Sequence, residues 1–348
     1  MSELRPPSID PTPIFEHYRG SFGSELLTAA ITEFNLFERL AAGPRSADTL
    51  ERELGLAARP CTVLLTAMRA MGLLADDSQA RVNLTRLARE HLVRDSPFDV
   101  SGYVGMSKDT PGVRTMIERL RTNRPAGHDD AQAGTAFIYR PEVPSAMELE
   151  SSARQLTLAL AGRAKNVAPV LADRVLLDDA RKLLDVGGGT GIYSIAWLCQ
   201  HQQLRAVVWD RPEVLKIADE MAREYGVADR LELVPGDMFT DRVPEGCDVC
   251  LLSNVLHDWD VPECRKLIER VVTALPSRGR LIVHDVLLDD GLDGPLPVAL
   301  YSAALFSVTE GRAYSAAEYG EWLLEAGLTP DAPIPTLVHC SAIVARKS

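Results

Sequence analysis

LLDVGGGTG, residues 183–191, is the stretch whose reading decides the fold. Leu183, Leu184, Asp185 and Val186 have the pattern of a short buried strand. They run into the turn Gly187–Gly191, and Ile192–Gln200 then takes up helical spacing. A strand, a glycine turn and a helix start bring backbone N–H groups together on an anionic or polar ligand. Glycine is needed there because a Cβ would hold the ligand off the backbone, and because tight turns use positive φ.

Two cofactor classes use such a turn. A dinucleotide fingerprint reads G-x-G-x-x-G. Gly187 and Gly189 fit it, but the third position falls on Ile192, and the last glycine comes one residue early at Gly191. Asp185 also places a carboxylate at the strand's end, which repels a pyrophosphate and attracts an ammonium group. S-adenosylmethionine carries that ammonium, a carboxylate for the turn's N–H groups, and no phosphate. LRAVVWD (204–210) reads as a second strand, ending in Asp210 about 20 residues after the glycines, the place of an acid that accepts from ribose hydroxyls. LELVPGDMF (231–239) offers Asp237 and Met238 at a third strand end, an acid and an apolar thioether suited to adenine. Groups at successive strand ends therefore point to an adenosine cofactor.

With LLSNVLHDWDVPECRKLI (251–268) added, the C-terminal part resembles the S-adenosylmethionine-dependent small-molecule O-methyltransferases, which include plant phenolic and bacterial polyketide enzymes. The matching stretches are DVGGGTG (185–191), WDRPEV (209–214), GDMF (236–239), VLHDWD (255–260), GRLIVHDVLL (279–288) and GRAYSAAEY (311–319). The resemblance implies His257 as the base that deprotonates the acceptor. It implies Ser253, Asp258 and Trp259 beside the cofactor, with Trp259 over the adenine. In plant-type relatives two glutamates hold the base. This chain has the shorter Asp285 at the first position and Ala313 at the second, with Glu310 three residues upstream as a substitute. Phe137, Met147, Tyr301 and Phe306 are the residues the resemblance offers for the acceptor pocket, and the N-terminal part is implied to form a homodimer.

Composition excludes several other classes. The 348 residues, 46% hydrophobic, suffice for two cores. A net charge of −12 disfavours nucleic acid and anionic membranes as partners. No apolar run approaches the ~20 residues of a membrane span. The start, MSELRPPSIDPTP, lacks a signal peptide's basic and apolar regions, so a cytoplasmic protein is expected. Six cysteines do not suggest a disulfide framework. Cys247 and Cys250 form a C-x-x-C, but CDVCLLS reads as a strand, which would point the two to opposite faces.

Ahead of the glycine turn, residues 1–13 read as a loose arm. Phe22, Leu26, Leu27, Ala30, Ile31, Phe34, Phe37 and Leu40 recur at helical spacing within 14–42. SADTLERELG (46–55) and ARPCTVLLTAMRAMGLL (58–74) read as helices, and 75–85 as a hairpin, which is a winged-helix order. DNA reading needs a basic face. The would-be recognition helix carries only Arg59 and Arg69 among Leu64, Leu65, Met68, Met71 and Leu73, so a structural role is expected. Residues 95–135 are polar and interrupted by Pro97, Pro111 and Pro125, with an amphipathic segment at Val113–Leu120. His128, Asp129 and Asp130 read as solvated loop residues, with no metal expected. A helix is expected over 145–171.

The fold class is therefore α/β: a C-terminal doubly wound Rossmann-like sheet with an N-terminal, mainly α, winged-helix-like dimerisation domain. The domains are expected at 1–100, 101–172 and 173–348, the middle segment lining the acceptor site. The expected activity is O-methylation of an aromatic or polyketide-like hydroxyl. C- or N-methylation in the same fold is the alternative. An NAD(P)-type oxidoreductase is disfavoured by Asp185 and the missing third glycine, and a DNA-binding regulator by charge. A phenol's pKa is ~10 and a histidine's ~6.5, so a neutral imidazole takes the proton as attack begins.

Overall fold

A computed structural model gives the fold and describes residues 3–125, 138 and 150–348. His128, Asp129, Asp130, Phe137 and Met147 lie outside the described residues. The chain packs into two compact units, one of residues 14–136 and 288–315, the other of 1–13, 137–287 and 316–348.

In the first unit Ser46 caps helix Ala47–Leu54 by accepting from the Thr49 N–H, and Gly55 ends it in the left-handed region at φ 67°. Helix Ala58–Ala70 follows, then the antiparallel pair β1 (Leu74–Asp76) and β2 (Val82–Leu84). The helix–helix–hairpin order read from the sequence is present. Arg59 does not face solvent: it is buried, its Nη1 donating to the carbonyls of Thr309 and Gly311 and its Nε to Asn123 Oδ1. Arg69 is held by Asp76 at 2.9 Å. Neither is displayed for a phosphate backbone.

Residues 14–42 are not one helix. They fold as Thr12–Arg19, Ser21–Thr32 and Leu36–Ala41, the last entered through Asn35 at φ 46°. Leu26, Ala30, Ile31, Phe34, Phe37 and Leu40 are buried within this unit, and Phe22 and Leu27 pack partly against its core. Most of the apolar residues quoted from this segment are thus buried inside the unit. Pro111 opens helix Pro111–Thr122 rather than breaking it, because the first turn needs no donor from it.

Residues 288–315 belong with this unit, not with the sheet as their sequence position suggests. Helix Leu296–Val308 buries Ala303 and Phe306 in the core that contains Leu26, Leu64 and Met68. Phe306 is fully buried in that core, beneath the Arg59 guanidinium at 4.7 Å. Tyr301 is half-buried, with the Arg19 guanidinium 3.6 Å from its ring centre.

The second unit is built on parallel strands β3 (Lys182–Val186), β4 (Arg205–Asp210), β5 (Leu231–Pro235), β6 (Val249–Ser253) and β7 (Arg280–Leu288). Across the sheet the order is β5, β4, β3, β6, β7, then the antiparallel last strand Cys340–Lys347. β3 is therefore the point at which the winding reverses, and its carboxyl end is where such sheets bind ligands. Leu183, Leu184, Val186, Val208, Leu251 and Ile282 are fully buried, as expected for strands covered on both faces. Helix Glu150–Arg174 packs against helix Ile192–Gln200, whose Trp197 Nε1 donates to the Val175 carbonyl at 2.8 Å. Cys247 precedes β6 and Cys250 lies within it, so the two do not share the strand that would set them on opposite faces. Both thiols are buried and free, and burial first of all pushes Cys247 up to about 11 and Cys250 well above the usual range, leaving neither disposed to form thiolate.

Candidate active site

The glycine turn closes on itself. Gly187, Gly189 and Gly191 lie at φ 63°, 59° and 68°, which L side chains avoid. The Gly187 N–H donates to the Trp209 carbonyl at 2.9 Å and Gly191 to Gly188 at 2.8 Å. A Cβ on Gly189 would meet nothing within 4 Å, so the space over the turn is open. Asp185 is not spread along that opening. Its carboxyl is tucked under Gly188, where a Cβ would come within 2.6 Å of it, and its Oδ2 accepts from Ser194 Oγ at 2.8 Å. Burial, with the nearby Asp210 charge adding to it against the Ser194 bonds, raises Asp185 to about 7. Among the described residues its Oδ1 is buried without a hydrogen-bond partner.

Asp210 ends β4 with Oδ2 accepting from the Gly189 N–H at 2.8 Å and Oδ1 from the Arg211 N–H at 2.7 Å. Desolvation raises its pKa against these bonds. Asp237 pairs with Arg211 at 3.4 Å, and its Oδ1 accepts from the Phe239 N–H. Met238 is half-buried, its sulfur 4.0 Å from a Cβ placed on Gly187, so the β5 end reaches back to the glycine turn. Trp259 is buried edge-on against Phe239 at 4.6 Å. Ser253, at the end of β6, is committed to Nδ1 of buried His284 at 2.8 Å and accepts from Asn254 Nδ2 at 3.0 Å.

His257 lies in a short 3₁₀ turn, Leu256–Asp258, beyond the end of β6. Its Nδ1 donates to Asp285 Oδ1 at 2.5 Å, both groups being buried. The same Oδ1 accepts from the Val286 N–H at 2.8 Å. Burial opposes charge on His257, but the carboxylates of Asp285 and Asp258 outweigh it and the pKa is raised. Since Nδ1 carries the proton to Asp285, the lone pair of the neutral ring is on Nε2. Asp285, one methylene shorter than glutamate, still reaches the imidazole.

Sequence reasoning missed three side chains here. Tyr319, on helix Ala316–Glu325, donates its phenol to Asp285 Oδ2 at 3.1 Å. Arg163, on helix Glu150–Arg174, donates to Asn254 Oδ1 at 2.8 Å and Cys340 Sγ at 2.9 Å, and its charge is felt by His257. Asn254 is in the left-handed region at φ 54°, turning the chain between β6 and the histidine, and its Nδ2 also donates to Tyr193 Oη at 3.2 Å. No periodicity links residues so far apart in sequence. The signal the sequence did carry was an Asn directly after an apolar strand, a residue type enriched where φ is positive.

The O-methyltransferase domain model matches residues 147–329. A 3-hydroxy-5-methyl-1-naphthoate 3-O-methyltransferase of Streptomyces sahachiroi is 36% identical, covering 92% of this chain and 90% of its own. The acetylserotonin O-methyltransferase of Bos taurus is 31% identical over 95% of this chain and 96% of its own. Among solved structures, an O-methyltransferase family 2 protein from Planctomyces limnophilus, in complex with apigenin, superposes with a TM-score of 0.89 at 45% identity. That match covers 99% of this chain and 98% of the other. The chain belongs to the O-methyltransferase family. It is an S-adenosylmethionine-dependent methyltransferase.

The residues present fit that cofactor. The space above Gly189 admits a ligand against bare backbone, the partnerless Asp185 Oδ1 calls for a donor such as an ammonium, and Asp210 stands at the strand end where ribose hydroxyls are accepted. Among the described residues no helix is long and apolar enough to cross a membrane.

Proposed function

We propose that this protein methylates a hydroxyl of an aromatic or polyketide-like small molecule, with His257 as general base. The observation that carries the reading is the buried His257–Asp285 pair at 2.5 Å, His257 standing just past the carboxyl end of β6 and Asp285 within β7. The naphthoate enzyme of Streptomyces sahachiroi and the apigenin-bound protein supply the acceptor class, a phenolic ring system.

S-adenosylmethionine, when bound, supplies an activated methyl group. Asp185, Gly187, Gly189, Asp210, Asp237, Met238 and Trp259 would hold it, with Ser253 bracing the end of β6 through His284. Asp285 holds the His257 Nδ1 proton and thereby leaves Nε2 as acceptor for the hydroxyl's proton. Asp258 Oδ1, 3.6 Å from Nε2, stabilises the imidazolium that results. Alignment of the two reacting atoms accounts for the remaining acceleration. Incubation with S-adenosylmethionine and a panel of hydroxynaphthoates, flavones and other phenols, followed by mass spectrometry, tests the reading. His257→Ala should lose roughly 10²- to 10⁴-fold in turnover with S-adenosylhomocysteine affinity unchanged. Near-full activity of that variant would refute the base.

A second reading is favoured by an L-tyrosine C(3)-methyltransferase of Streptomyces lavendulae, 30% identical over 90% of this chain and 85% of its own. Methylation of a ring carbon beside a phenol needs the same deprotonation, so the same histidine would serve. The product's methyl resonance distinguishes O–CH₃ from C–CH₃.

We further place the protein in the cytoplasm as a homodimer formed by the N-terminal unit. All six cysteines are free, and Ile14, Tyr18, Phe98, Tyr103 and Met106 of that unit are exposed. Light scattering at twice the 38.0 kDa chain mass is the expected result, and a monomer at micromolar concentration refutes it.

A further inference from the structure

The Asp285 carboxylate that grips the base has two unlike oxygens. Oδ1 accepts from His257 Nδ1 and from the Val286 N–H, at 2.5 and 2.8 Å. Oδ2 is held among the described residues by the Tyr319 phenol at 3.1 Å. Tyr319 is itself fully buried and fixed edge-on against Trp322, at 5.4 Å and 89°. A buried carboxylate oxygen with one donor depends on that donor for both its orientation and its charge. Without it the carboxyl turns more freely about its Cβ–Cγ bond, and Oδ1 no longer has a fixed direction toward the imidazole.

We propose that Tyr319 is a positioning residue for the methyl transfer, fixing the Asp285 carboxylate and, through it, the orientation and tautomer of His257. It takes over the support that the resemblance assigns to a second acid, at the position where this chain has Ala313. The inference rests on the reading of His257 as base. The charged groups facing the imidazole are Asp285, Asp258 and Arg163. Of these, Asp285 is the one to which the tyrosine donates. The phenol spreads the carboxylate's charge toward Oδ2, so the proton stays on Nδ1 of the ring and Nε2 remains the accepting edge.

¹⁵N-histidine NMR of the full chain reads this without an acceptor, with His257→Ala assigning the resonance. In the unaltered protein the neutral His257 should carry its proton on Nδ1. Tyr319→Phe keeps the ring and removes the donor, leaving a less stabilised carboxylate. The His257 titration should then move upward, a roughly 3- to 10-fold gain in proton affinity. 3,5-Difluorotyrosine at position 319, a stronger donor, should move it downward. It also carries the test if Tyr319→Phe does not fold. In an Asp285→Asn background Tyr319→Phe should produce no further shift, because the link is gone. A titration unmoved by both changes at position 319, in a protein whose turnover His257→Ala abolishes, overturns the tyrosine's role alone. Full turnover in His257→Ala overturns the base assignment and this inference with it.

Discussion

The Asp258 carboxylate stands 3.6 Å from Nε2 of His257, at the edge of the ring away from Asp285. It is raised to about 6, burial outweighing the stabilising pull of His257, so it is mostly ionised at neutral pH. A base flanked by two acids binds its proton more tightly than a free imidazole, and only the neutral ring accepts. The acid limb of the pH–rate profile should therefore lie above the ordinary 6.5. Asp258→Asn removes one of the two negative charges. The limb should move to lower pH while the plateau rate falls severalfold, since the imidazolium formed on transfer loses a counter-charge. A profile left in place by this substitution counts against the arrangement.

Asp285→Asn attacks the other edge. An amide can still meet Nδ1 with its oxygen but carries no charge. Turnover should fall by about 10- to 100-fold and the acid limb should drop, with S-adenosylhomocysteine binding intact by calorimetry. A loss of cofactor affinity equal to the loss of rate would mean that Asp285 only holds the fold.

Ala313→Glu looks, from sequence, like the restoration of an absent acid. The structure predicts the opposite outcome. Ala313 is fully buried, so a carboxylate there would be taken out of water. The variant should lose roughly 2 kcal/mol or more of stability, seen as a lowered Tm. Unchanged Tm with raised turnover would show that the site does admit an acid.

Asp185 makes stability depend on pH. Its folded-state pKa of about 7 is above the ordinary 3.8, so the folded chain holds the proton more tightly than the unfolded one. The contribution is favourable at low pH and is lost as pH rises from about 4 to about 7. The Tm of the cofactor-free protein should fall between pH 5 and pH 8, and Asp185→Asn should flatten that fall. Asp210 and Asp258, raised in the same direction, leave a residual slope. A slope identical in Asp185→Asn and the parent would rule out the assignment.

The strands around the cofactor were legible because a buried parallel strand leaves an unbroken apolar run, and a glycine turn bounds it. β3 and β4 begin and end within a residue or so of where LLDV (183–186) and LRAVVWD (204–210) place them. His257 and Asp285 were legible through the resemblance, since each occupies a motif of its own. Phe306 was not, because an apolar helix such as Leu296–Val308 does not say which core it fills. Asn35 ended a run of helical spacing by entering the left-handed region, which period alone does not reveal. Tyr319 lies 34 residues beyond Asp285, and their meeting is set by how helix Ala316–Glu325 lies on the sheet.

Arg59 binds Asn123 on one side and the carbonyls of Thr309 and Gly311 on the other, positions separated along the chain by 64, 250 and 252 residues. The N-terminal unit is thus completed by a segment synthesised after nearly all of the sheet. No single cut in the polypeptide yields that unit whole. A fragment ending near residue 100 would expose the faces that Ala303 and Phe306 cover, and a chain begun there would carry helix Leu296–Val308 with its apolar side bare. Loss of association on such truncation would therefore report damage to a core as readily as removal of an interface. Single substitutions at exposed residues such as Tyr103 or Met106 are the sounder probe of self-association. During synthesis the early helices must wait, partly uncovered, until the chain is almost finished.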